Sequence, residues 1–140
     1  MTPEAWQLQL ALGACRAGRL LALACLVFAL YGLHMLIGPV ALPVPVLCVI
    51  AVLAVLPGLY LAMRLEIDRG LFQRLAERLD TIGDDLATLD CALAELGLKK
   101  ETDIPRSLPD RVTGVFRLTK ALGVVVAVQA VSLSLIAVSL

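Results

Sequence analysis

Histidine and aromatic residues are scarce in this chain: one His, one Trp, two Tyr and three Phe among 140 residues. A single His cannot build a histidine metal cluster, and it leaves little material for a nucleophile–base pair. The ten glycines are scattered and form no phosphate-binding loop. Cys15, Cys25, Cys48 and Cys91 show no C-x-x-C spacing and read as small apolar side chains. Lys and Arg total 12, as do Asp and Glu, so the net charge is zero and gives no argument for a nucleic-acid partner. These gaps predict a non-catalytic protein with no metal and no cofactor.

The most informative absence is local. No Asp, Glu, Lys or Arg occurs from Leu20 to Met63, and none from Ala121 to Leu140. Hydrophobic residues make up 60% of the chain and mean hydropathy is +0.92, whereas soluble domains hold about 45–50% apolar residues. A membrane-spanning helix needs about 20 apolar residues. The first block is long enough for two, and "GPVALPVP" at 38–45 interrupts it with three prolines and a glycine. The expected fold is therefore all-α, with three transmembrane helices: a hairpin of passes near 20–37 and 44–63, and a third pass at 121–140. Thr2 is placed to cap a helix with Pro3 at its first position, so the first helix is expected to run from there to Ile37. Pro57-Gly58 predicts a kink inside the second pass. A cleaved signal peptide would require a short basic start and a small-x-small site, whereas 19 residues precede the apolar run here and "IGPVALPVP" at its first break offers no A-x-A site.

Basic residues beside membrane segments stay on the cytoplasmic side. Arg16 and Arg19 precede the first pass, Arg64 and Arg69 follow the second, and Arg111, Arg117 and Lys120 precede the third. The expected orientation is N-terminus in, C-terminus out, with residues 64–120 cytoplasmic. Size and simplicity suit a bacterial inner membrane.

Between passes two and three, Phe72, Leu75, Leu79, Ile82, Leu86, Leu89, Leu93 and Leu96 alternate at spacings of three and four, the seam of a coiled coil. Residues 64–97 carry four Arg and eight acidic side chains, at about 2.5–3.5 kcal/mol per central charge too costly for a fourth span. A cytoplasmic helix is expected there, ended by Gly97 and weakened by Gly83, followed by a basic connector at 98–120. Asp80–Gly97 has five acidic residues and no basic one; Lys99–Lys120 has six basic and three acidic. The acidic helix is thus expected to fold back on the connector or to pair with a second copy.

Lipid offers helices no hydrophobic drive to associate, so small residues mark their contacts. Ala22, Ala29 and Gly32 in pass one, Gly58 in pass two, and Gly123, Ala127, Ala130 and Ser134 in pass three form such stripes, and mid-membrane Gln129 calls for a partner helix. The sequence predicts an accessory, scaffolding or regulatory subunit of a membrane complex. It would dock on another membrane protein or a second copy of itself through the seam, while Lys99, Lys100, Arg106 and Arg111 meet an acidic partner or anionic lipid. Two rivals are a homo-oligomeric channel lined by Gln129, Ser132 and Ser139, and a cofactor-binding membrane subunit centred on His34.

Overall fold

The computed structural model describes residues 2–37, 44–77 and 107–139, together with Leu86, Thr88, Cys91 and Glu95. Every element among them is a helix: α1 (Pro3–Leu36), α2 (Val44–Leu53), α3 (Val55–Glu77) and α4 (Leu108–Ser139). The sequence explains the ends. At the start of α1 the Thr2 hydroxyl accepts the Ala5 N–H at 3.4 Å, with Pro3 in the first turn, where its missing N–H costs nothing. At the start of α4, Ser107 Oγ accepts from the Asp110 N–H at 3.4 Å and donates to Asp110 Oδ2 at 2.6 Å, which closes the cap. The helix holding the third apolar block therefore begins at Leu108, and residues 108–120 of the basic connector belong to it.

The second pass is interrupted, but at Ala54 rather than at Pro57-Gly58. Pro57 has no N–H to offer the Leu53 carbonyl, so the ladder loses its bond one turn before the proline. On either side it persists: the Ala54 N–H reaches the Ile50 carbonyl at 3.0 Å and the Gly58 N–H reaches the Ala54 carbonyl at 3.3 Å.

Residue pairings give the helix directions. Along α1, Gly18, Cys25 and Gly32 meet Leu65, Gly58 and Ala51 in turn, so α1 runs antiparallel to α3 and α2. Ala14 and Cys25 of α1 meet Thr119 and Gln129 of α4, so these two run parallel. One end of the bundle therefore gathers the start of α1, the end of α3 and the start of α4, and all the charges of these helices lie in that half. The charge-free stretches make up the rest. α1, the joined α2 and α3, and α4 are each long and apolar enough to cross a membrane. Their outward surfaces carry large apolar side chains such as Leu20, Leu23, Leu30, Val124 and Val131, as lipid-facing helices do.

Two clusters fill the interior. At the far end Val44, Cys48, Ala51, Leu133 and Ile136 pack with Phe28, Met35 and Leu47. At the charged end Leu8, Ala11, Leu65, Phe72, Leu75, Val112 and Val115 pack together. Most of the second cluster lies beyond the charge-free stretches. α1, α3 and α4 thus continue out of the apolar band as a three-helix stub with a core of its own.

Candidate functional site

Gln129 stands where α1, α2 and α4 meet. It is fully buried, and its Nε2 donates to the Cys25 carbonyl at 3.3 Å and the Ala51 carbonyl at 2.8 Å. Both acceptors lie in helices, where a carbonyl keeps a second lone pair after its own helical bond. Oε1 has no partner among the described residues. One amide thereby ties three helices together at a depth where water cannot compete. Ser132, also buried, donates to the Val128 carbonyl of its own helix at 2.9 Å. Gln129 and Ser132 therefore face the interior of this chain rather than an outside lumen.

The close approaches are made by glycine. A Cβ on Gly58 would lie 2.6 Å from Cys25 Sγ, and one on Gly18 would lie 2.7 Å from Leu65 Cδ1. At Gly32 the nearest atom, Ala51 Cβ, would be 3.4 Å away. Ala29 is buried and Ala22 half-buried. Gly18 was missed by sequence reasoning because it precedes the charge-free block, but its spacing of seven from Cys25 places it on the same stripe. On α4 the inward face belongs to larger residues: Leu122, Gln129, Leu133 and Ile136. Gly123 and Ala130 are half-buried, while Ala127 and Ser134 lie outside, Ser134 bonding to the Ala130 carbonyl at 2.8 Å.

Of the seam, Phe72 and Leu75 are buried in the stub, and half-buried Leu86 packs on the same cluster. Leu65, seven residues before Phe72, shares that face. Leu79, Ile82, Leu89, Leu93 and Leu96 fall outside the described residues, as do Lys99, Lys100 and Arg106.

Charge is organised at the same end. Glu66 accepts from Arg19 Nε at 2.9 Å, from Arg19 Nη2, and from Arg69 Nη1 at 3.0 Å. The Arg19 hydrogen bonds, reinforced by the charges of both arginines, hold the Glu66 carboxyl below its usual range. On the other side of α3, a groove of about 860 Å³ separates it from α4. Arg64, Asp68, Asp110, Arg111 and Arg117 line it above a floor that includes Phe72 and Leu118. Burial raises the Asp68 carboxyl, opposed by the nearby Arg64 and Arg111. Arg111 is half-buried in this wall.

His34 is exposed near the far end of α1; Cys15, Cys25 and Cys48 are buried, and Cys91 is exposed. Among the described residues no three His, Cys, Asp or Glu side chains converge on one point. The arrangement holds helices together and presents charge at one end. No protein-family model, curated protein or solved structure shows a match to this chain.

Proposed function

We propose that this chain is a non-catalytic accessory subunit of a membrane assembly, anchored by three spans and docking on a partner helix through the later turns of the leucine seam. The observation that carries the reading is the stub. α3 leaves the apolar band with Leu65, Phe72 and Leu75 locked against α1 and α4, so the seam starts from a rigid base made within the chain. Anchoring one end of the seam lowers the entropy cost of docking its remaining residues on a partner. The first turns are consumed in cis; the turns carrying Leu89 and Leu93 are the ones offered to a partner or a second copy.

The orientation follows from charge. The arginines and the lysine that flank the spans sit at the stub end, and basic residues beside spans are retained in the cytoplasm. The stub and the seam are then cytoplasmic, the C-terminus external.

The test is co-purification from native membranes in mild detergent. Leu89→Asp together with Leu93→Asp is expected to release the partner or abolish self-association while membrane insertion persists. A double variant that retains every associated chain would refute docking through the seam.

A further inference from the structure

We infer that the groove between α3 and α4 is a binding site for the phosphate headgroup of an anionic phospholipid. The groove lies at the boundary of the apolar band. Arg64 is the first charge after the charge-free stretch 20–63, and Arg117 stands one turn before Ala121, where the other charge-free stretch begins. Tyr60, exposed one turn deeper than Arg64, accepts a hydrogen bond from it at 3.4 Å; a tyrosine at that depth is typical of the headgroup layer. Lipid phosphates occupy the same level.

The lining suits such a ligand. Three guanidinium groups, Arg64, Arg111 and Arg117, face two carboxylates, Asp68 and Asp110. Asp110 is engaged in the Ser107 cap, and Asp68 is half-buried beside Arg64 and Arg111. Among the described residues no carboxylate stands within ion-pair distance of Arg117. An anion placed between Arg64 and Arg117 meets a guanidinium group on each wall of the groove, and a guanidinium fork fits two phosphate oxygens at once. Toward the apolar band the groove ends at Leu118 and Ala121, so acyl chains continue into lipid without crossing a charged wall. Basic pockets between membrane helices recognise anionic headgroups by this combination. A zwitterionic choline headgroup brings a cation to the same arginines and is disfavoured.

Two independent variants test the assignment. Arg64→Gln with Arg117→Gln removes the anion's partners. Gly114 lines the groove, and a Cβ there would meet no atom within 4 Å, so Gly114→Phe fills the space without touching a charge. The full chain, purified in mild detergent, is titrated with phosphatidylglycerol or phosphatidylcholine and its retained lipids are counted by native mass spectrometry. Wild type should retain phosphatidylglycerol at least tenfold better than phosphatidylcholine. Both variants should lose most of that preference, and Arg16→Gln, exposed on α1 away from the groove, should keep it. Should the double variant fail to fold by circular dichroism, Gly114→Phe decides alone. Equal retention of the two lipids, undiminished preference in Gly114→Phe, or displacement of phosphatidylglycerol by millimolar inorganic phosphate would overturn the proposal, the last by naming free phosphate as the occupant.

Discussion

At the scale of single residues, the packing turns on atoms too close to tolerate addition. Gly58 faces Cys25 Sγ so tightly that Gly58→Ala must displace it, and overpacking of this kind costs about 1–3 kcal/mol. Cys25→Ala removes the obstructing sulfur. The pair is therefore expected to couple: the loss in Gly58→Ala measured by reversible unfolding in detergent should shrink markedly in the Cys25→Ala background. Gln129→Leu deletes the two bonds to the Cys25 and Ala51 carbonyls, and such interhelical bonds contribute about 0.6–2 kcal/mol. A modest destabilisation is expected, softened because Oε1, which has no partner among the described residues, leaves with the amide. Glu66 supplies a pH dependence. Its carboxyl is held below the usual range by Arg19 and Arg69, so its contribution is present above the unfolded-state value and is lost as pH falls through the folded one. The stability difference between wild type and Arg19→Gln should accordingly narrow on acidification; a constant difference down to pH 3 would show that the pair contributes through packing alone. Gln129 was legible from the sequence because a lone amide in a charge-free stretch needs a partner. Which carbonyls receive it was not, since that depends on how three separate helices cross.

At the scale of elements, α3 is the instructive case. Its apolar spacing of three and four is visible in the residues, but a narrow stripe looks the same whether it faces a partner or the chain's own helices. Tertiary packing settles its first turns: Phe72 is 1% exposed and Leu75 5%, both against α1 and α4. Phe72→Ala should therefore cost about 3–5 kcal/mol and loosen the stub, measurable as faster amide exchange at Leu8–Cys15 and Val112–Val115. Exchange left unchanged by that substitution would mean that the stub core does not depend on α3. α4 shows the converse limit. Its small residues form a stripe in the sequence, yet the face it buries is the one carrying Leu122, Gln129, Leu133 and Ile136. Small side chains permit close approach, but a bundle that must also house a glutamine chooses its face by that amide.

At the scale of the whole molecule, the separation of charge from grease dominates. With the native cysteines replaced, Gln73→Cys, exposed on the stub, is expected to resist a membrane-impermeant maleimide in intact cells and to react after lysis. Labelling from outside would reverse the proposed orientation, leaving the bundle as it is. The stub itself could not be read off the sequence as a domain. Its three pieces, the starts of α1 and α4 and the end of α3, are far apart in the chain and individually look like charged flanks.

The linear order of residues by itself determined the three apolar helices, the cap at Thr2 and the end of the bundle to which the charges go, because solvation free energy and local backbone chemistry act on contiguous stretches. Only the tertiary structure decided that α1 runs parallel to α4, that Gly18 and Gly58 are points of contact, that Phe72 and Leu75 belong to an internal core, and that Arg64 and Arg117 flank one groove. Those outcomes depend on which faces meet, and meeting faces are set by interlocking side chains from segments that the sequence holds tens of residues apart.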